Sequence, residues 1–359
     1  MTEKLDLRGG LRRVLELSGE PAAAELCEVL TGLLDGGDPV DRVYSLCRLK
    51  PRVFRLSIAT ATPVRSVVLK RLEPSVAQRN HLIAERWLPA LRLGDRCARL
   101  LATAADRRGA CVWHVYEDLG DETLADRLDA ERIAATVDFI AELHTRAANH
   151  PVLPDARRYC GSLGIQYFLA NVGDAIAALE KLASAGIEIP REYVGLADRL
   201  RDRLVALLAD TPRRAHVFER AAGPDTLLHG DLWTINVFVV AAGDELRARL
   251  VDWDRMGVGP FSYDLSTFLF RFRAAERPAI LERYQDRVAN AGWRVASPLE
   301  LEILFDTAER ARYANRVIWP ALALMQEHAA WGFPELAEVE RWFQTLDSDS
   351  ASGCSTIAG

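Results

Sequence analysis

Apolar positions change their spacing several times along the chain, and each change marks an element. Over residues 9–34 the spacing is helical, with Leu26, Leu30 and Leu33 on one stripe and Gly36-Gly37 as a stop. From Val43 the period shortens to two. Phe54, Leu56 and Ile58 alternate with Arg55 and Ser57, which predicts a half-buried strand. VYSLCRL (43–49), RSVVLKRL (65–72) and ACVWHVYEDL (110–119) read as further strands, with a helix over 76–91. After Gly120 the pattern is mainly helical: Ile133, Val137 and Ile140 form one stripe ending at His144, and Leu200, Leu204, Leu207 and Leu208 form another. One interruption, NVFVV (236–240), a glycine-containing turn (241–245) and LRARLVDW (246–253), has the pattern of a hairpin. Helices resume near Leu265 and run to Phe343, and the small, polar tail 347–359 is expected to be disordered. The fold class is therefore α+β, with an N-terminal helical extension (1–38), a small antiparallel-sheet lobe (39–119), a connector near 116–122, and a large mainly helical lobe with an embedded hairpin (120–346).

Composition narrows the class. The chain has 359 residues, 49% of them hydrophobic, so a large core is feasible. The apolar stretch VIWPALALM (317–325) falls well short of the roughly 20 residues a membrane span needs. MTEKLDLRGGLRR at the N-terminus lacks the apolar segment of a secretory signal. Six scattered cysteines, with no CxxC and no Cys/His spacing, argue against zinc and disulfides and fit a reducing cytoplasm. A net charge of −6 argues against nucleic acid as a partner. Of 45 basic residues only Lys4, Lys50, Lys70 and Lys181 are lysines, so a lysine inside a strand carries information here.

The chemistry concentrates in LLHGDLWTINVFV (227–239) and LVDWDRMGVGPFSYDLSTFL (250–269). Asn236 follows Asp231 by five residues, and Asp252 lies at the far end of the predicted hairpin. A hairpin returns the chain to its start, so Asn236 and Asp252 can face one site with hard oxygen ligands suited to Mg²⁺. Asp231 can then accept a hydrogen bond from an attacking hydroxyl. An Asp, an Asn five residues on and a strand-borne Asp are the arrangement of the protein-kinase catalytic loop.

HGDLWTIN and VDWDRMGVGPFSYDLS resemble the HGDxxxxN and IDW(D/E)…YDL blocks of the aminoglycoside phosphotransferase and choline kinase-like family, over roughly residues 43–270. That resemblance implies a two-lobed protein kinase-like fold and ATP- and Mg²⁺-dependent transfer of the γ-phosphate to a hydroxyl of a small molecule such as an aminoglycoside-like antibiotic, a sugar or an amino alcohol. It casts Asp231 as the catalytic base or hydroxyl-orienting group, Asn236 and Asp252 as Mg²⁺ ligands, and Lys70 as the grip on the α and β phosphates. Glu85 becomes the helical partner of Lys70, although Asn80 falls where relatives place that acid. VYEDLGDETLADRL (115–128) resembles the hinge, with Tyr116, Glu117 and Leu119 beside the base, and Asp264 becomes a buried brace of the loop. The turn LKPRVF (49–54) has no glycine, which would pass phosphate contacts to Lys50, Arg52 or Arg55, and Ile235 replaces the small residue that often precedes the motif asparagine. A pseudokinase or scaffold is the alternative; a protein Ser/Thr kinase is disfavoured because 252–264 leaves no room for a long activation segment. Trp233 and Trp253 read as packing, Trp319 or Trp331 as possible pocket walls, and Asp306, Glu309 and Glu327 as carboxylates available to a cationic acceptor among interleaved arginines.

Overall fold

The computed structural model describes residues 11, 13–16, 19–34, 43–59 and 65–351. The chain divides into two compact units, Met1–Arg127 with Ile235–Asp254, and Leu128–Thr234 with Arg255–Gly359. The hairpin that the lobe boundaries 39–119 and 120–346 place with the helices therefore groups with the sheet.

The first unit is built on five antiparallel strands, β1 (Val43–Lys50), β2 (Val53–Ala59), β3 (Arg65–Leu72), β4 (Leu100–Ala105) and β5 (Val112–Glu117), in the order β1-β2-β3-β5-β4. Alternation sorts their side chains. Phe54, Leu56 and Ile58 of β2, Val67 and Leu69 of β3, and Trp113 and Val115 of β5 turn to one face and bury there. The helix α1 (Ala23–Leu34) covers that face through Leu26 and Leu30, joined by Leu11 and Leu15, so the N-terminal segment belongs to this core. Trp113 Nε1 donates to the Pro21 carbonyl at 2.9 Å and pins the approach to α1. The opposite face carries Val68 and Lys70 and is left for the site. Strand β4 was not legible in the sequence, because its mostly half-buried LLATAA run has no clear alternation. The expected helix over 76–91 is α2 (Pro74–Leu82), followed by a π-helical turn (Ile83–Trp87) and a last helical turn (Leu88–Ala90).

The second unit is mainly helical: α3 (Ala130–Ala147), α4 (Leu153–Cys160), α5 (Ile165–Ser184), α6 (Leu196–Ala209), α7 (Thr211–Ala221), α8 (Ser262–Leu269), α9 (Arg277–Asn290), α10 (Pro298–Glu327) and α11 (Gly332–Ala351). Its largest core joins α5, α6, α10 and α11, with Phe168, Leu200, Leu204, Val317 and Phe343 almost fully buried. The 30-residue α10 starts on a capping box of Ser297 and Glu300 and tolerates Pro320 within it. The tail expected from residue 347 is corrected in part. Helix α11 continues to Ala351, because Asp347 takes an ion pair from Arg203 and another from Arg310 Nη2 at 2.7 Å; residues 352–359 lie outside the described residues. Two short strands, β6 (Thr226–Leu228) and β9 (Gly257–Gly259), pair antiparallel in this unit. Between them in sequence, β7 (Val237–Ala242) and β8 (Glu245–Leu250) form the predicted hairpin of the first unit. No helix among the described residues is long and apolar enough to cross a membrane.

Candidate active site

The first unit encloses a cavity of about 280 Å³ on the face of the sheet opposite α1. Val53, Val68, Ile83, Ala98, Phe238 and Leu250 supply apolar walls, and Lys70, Asn236 and Asp252 supply polar ones. Strand alternation explains the placement: Val68 and Lys70 are two apart on β3 and share the face that Leu69 does not.

Lys70 is the electrostatic centre of this cavity. Its Nζ donates to Asp252 Oδ1 at 2.6 Å and to Asp254 Oδ1 at 2.7 Å, and Asn80 Nδ2 donates to the same Asp254 oxygen at 3.0 Å. Burial opposes the ammonium, but the two carboxylates outweigh it and hold Lys70 above the ordinary lysine range. Asp252 adopts φ 67°, a left-handed conformation that is uncommon for a non-glycine residue and costs energy unless its surroundings enforce it. Asn236 is buried at the start of the hairpin, and its carbonyl accepts from Val251 N at 3.0 Å, so the two arms carrying Asn236 and Asp252 are hydrogen-bonded together.

The expected Lys70–Glu85 pair is corrected. Glu85 sits exposed on the π-helical turn and outside the cavity lining, while Asn80, five residues earlier and so on another face of the helix, turns inward. Tyr116, Glu117 and Leu119 all line the cavity. The Glu117 carboxylate is engaged, accepting from Arg99 N at 2.6 Å and pairing with Arg249. The Tyr116 hydroxyl shares a 2.9 Å hydrogen bond with His114 Nδ1. Burial, with His81 and Lys70 adding to it, pushes His114 down to about 4, so the imidazole is neutral at pH 7.

Of the three cations expected to replace a glycine loop, Arg55 is taken by the connector. It bonds Asp118 Oδ2 at 2.7 Å and the Gly120 carbonyl at 2.8 Å, and it pairs with Asp121. Arg52 occupies the corner of the β1–β2 turn at φ 67°, exposed and 3.7 Å from Glu73, while Lys50 is exposed and lines the cavity. Pro51 and Arg52 form a tight two-residue turn in which Arg52 takes the positive φ usually given to glycine.

In the second unit the HGD loop leaves β6 and is fixed by Asp264 in the first turn of α8. The buried Asp264 carboxylate accepts from His229 N at 2.7 Å and Gly230 N at 2.8 Å, with His144 Nε2 at 3.5 Å. His144 is held in turn through its Nδ1, 2.9 Å from the Tyr284 hydroxyl. Burial opposes the Asp264 charge, but His144, His229 and the Gly230 amide outweigh it and keep the carboxyl below the usual carboxylate range. Gly230 is required twice over: its φ is 81°, and a Cβ there would lie 1.8 Å from the Arg255 carbonyl oxygen.

Asp231, half-buried, lines a second cavity of about 290 Å³ that lies within this unit. Trp233 and Trp342 line it as well. The expectation for tryptophan is reversed: Trp233, read as packing, faces the cavity, while Trp319 and Trp331 are exposed and outside its lining. Trp253 is buried, and it also lines the cavity of the first unit. Asp306 is taken by Arg214 and Arg310, both at 2.7 Å, and Glu309 by Arg312, so neither is left for a cationic ligand. The joint grip of Asn80 and Asp254 with Lys70 was not expected from the sequence; Tyr263 belongs to the YDL block, and Arg271 lies outside every motif.

Comparison with known proteins supports the same grouping. Curated protein sequences give no match. Among solved structures, Plasmodium vivax ethanolamine kinase aligns over 94% of this chain and 94% of its own, with a TM-score of 0.56 and 10% identity. A GDP complex of aminoglycoside 2′-phosphotransferase-IIIa aligns over 92% and 98% (TM-score 0.54, 12% identity), and spectinomycin phosphotransferase with ADP and spectinomycin over 86% and 93% (TM-score 0.51, 10% identity). These likenesses show a protein kinase-like fold. The model of the phosphotransferase enzyme family matches residues 51–299, which span the five-stranded sheet from its second strand, the lysine and carboxylate cluster and the braced HGD loop, and the chain belongs to that family.

Proposed function

We propose that this phosphotransferase moves the γ-phosphate of ATP, with Mg²⁺, onto a hydroxyl of a small molecule. The observation that carries the reading is the convergence of Lys70 with Asp252 and Asp254 at one end of an apolar cavity. Val53, Val68, Ile83 and Phe238 offer surfaces for a flat base, and the backbone of 117–119 offers its edge hydrogen bonds. Lys70 would take the α and β phosphates, exchanging carboxylate partners for phosphate oxygens. Nucleotides bound in two of the fold's neighbours support this assignment.

Asp252 and Asn236 fit Mg²⁺ by their donors, hard oxygens without sulfur or imidazole, and by the strained backbone that keeps the Asp252 carboxylate on the cluster. When bound, the ion would offset charge on the phosphates. Asp231 would orient the acceptor hydroxyl, and the Asp264 brace would hold Asp231 against drift. With a loose transition state, positioning supplies most of the rate.

The test is transfer of γ-labelled phosphate into a panel of sugars, amino alcohols, hydroxy acids, aminoglycosides and a protein acceptor, with Asp231→Asn as control. A labelled small molecule that disappears with the control, while ATP still binds, is the expected result. Saturable ATP binding with no labelled product from any acceptor would favour a scaffold, and absence of nucleotide binding would sink the proposal.

A further inference from the structure

The cavity beside Asp231 carries an excess of positive charge. Four guanidinium groups line it, Arg255, Arg271, Arg312 and Arg316, against two carboxylates, Asp231 and Glu309. Glu309 is already satisfied, since it pairs with Arg312 and accepts from Ser266 Oγ at 2.9 Å. Arg312 is fixed by that pair, by the Tyr263 carbonyl and by the Tyr263 ring 4.1 Å away.

Arg271 differs in having no carboxylate partner among the described residues: it stacks 4.0 Å over the Trp233 ring, and its Nε, like that of Arg312, is buried with no hydrogen-bond partner. A buried donor left unpaired costs about 1–3 kcal/mol, so this N–H lacks an acceptor that a ligand can supply. Among the described residues neither Arg271 nor the exposed Arg255 and Arg316 has a carboxylate partner. A polycation entering this cavity would meet three such guanidinium groups and no carboxylate beyond the one needed for its hydroxyl. An oxyanion meets planar donors that bind carboxylate or phosphate two-handed.

We infer that the acceptor is an anion: a hydroxyl compound carrying a carboxylate or phosphate group that Arg271 and Arg316 hold while its hydroxyl meets Asp231. This rests on the reading that the second unit's cavity takes the acceptor. Trp233 sets the Arg271 plane, and Trp342 and Tyr263 present flat surfaces to the body of the molecule.

The test compares matched compounds on three skeletons, first without nucleotide. They are gluconate, glucose 6-phosphate, glucose and glucosamine; glycerate, glycerol 3-phosphate, glycerol and 3-amino-1,2-propanediol; and 4-hydroxyphenylacetate, tyrosol and tyramine. Tryptophan fluorescence and thermal shift read binding, and labelled transfer is then measured on each. The expected result is at least one skeleton whose anionic member binds tenfold or more tightly than its neutral and amine partners. Arg271→Gln and Arg316→Gln should each remove most of that preference, raising acceptor KM with ATP KM unchanged, and Arg271→Lys should restore only part. The carboxylate and phosphate members separate the two anion chemistries. Equal or tighter binding of neutral or amine members, anion binding untouched by both substitutions, or no anion binding on any skeleton would overturn the inference. Transfer to a neutral or amine member would do so while leaving the phosphotransferase reading intact, and loss of nucleotide binding would strike that reading alone.

Discussion

The two units enclose cavities of nearly equal volume, about 280 and 290 Å³, and build them in opposite ways. In the first, neighbouring strands and one hairpin supply most of the wall, and the charges close on one another: Lys70 on Asp252 and Asp254, Arg55 on Asp118, Glu117 on Arg249. In the second, the wall comes from the HGD loop, α5, α8 and α10, with Arg271 and Trp342 beside them, and cations remain without acid partners. A site whose charges are mutually satisfied is preorganised for a ligand that exchanges partners; a site with unsatisfied donors selects a ligand that brings the missing charge.

The difference can be broken most forcefully at Gly230. Gly230→Ala forces a Cβ into the Arg255 carbonyl and should displace Asp231, lowering turnover by about 10²-fold or more with ATP affinity kept. Steady-state kinetics with a nucleotide titration checks it, and unchanged turnover would show that the loop is not held as described.

The units should also differ in their response to acid. His114 titrates lower in the fold than the usual 6.5, so the unfolded chain binds its proton first. Its contribution is complete above about pH 6.5 and declines as pH falls toward 4, by on the order of 3 kcal/mol across that window. Asp264 is also depressed, but it is an acid: its contribution is present above the unfolded value near 4 and is lost only below that, as pH falls through the folded value. Chemical denaturation from pH 7 to 3 should therefore show His114→Gln flattening the upper limb and Asp264→Asn the lower one, the latter also costing about 3–5 kcal/mol at pH 7. Identical slopes in wild type and His114→Gln between pH 6.5 and 4.5 would contradict the buried neutral imidazole.

Lys70→Met should raise ATP KM by roughly tenfold, about 1.4 kcal/mol, and leave acceptor KM within twofold. Isothermal titration with ATP separates this from misfolding. The smallest effect belongs to Glu85→Gln. An exposed carboxylate outside the cavity should change ATP KM by less than about twofold and stability by less than about 0.5 kcal/mol. A large loss at Glu85 would restore the pairing that the structure gives to Asp252 and Asp254.

Much of the first site was legible before the fold was known. The period of two placed Lys70 opposite Leu69, and the predicted hairpin brought the arms carrying Asn236 and Asp252 together. Legibility stopped where a local rule met a competing partner. Glu85 was the one acid in its segment, yet helical phase turned Asn80 inward instead. Arg55 looked available to phosphate until the connector supplied Asp118 and Asp121. Trp233 looked like packing because nothing near it in sequence marks Arg271 as its neighbour.

By itself the sequence determined the α+β class, the helical stripes and the hairpin. Each of these depends on residues within a few positions of one another, where backbone periodicity alone decides which side chains share a face. Tertiary structure alone decided which charges cancel. The Lys70 cluster joins residues 70, 80, 252 and 254, the Asp264 brace joins 144, 229, 230 and 264, and the second cavity draws on residues from 163 to 342. An ion pair forms or fails on distances of a few ångströms, and for residues so far apart in sequence only the packed fold sets them.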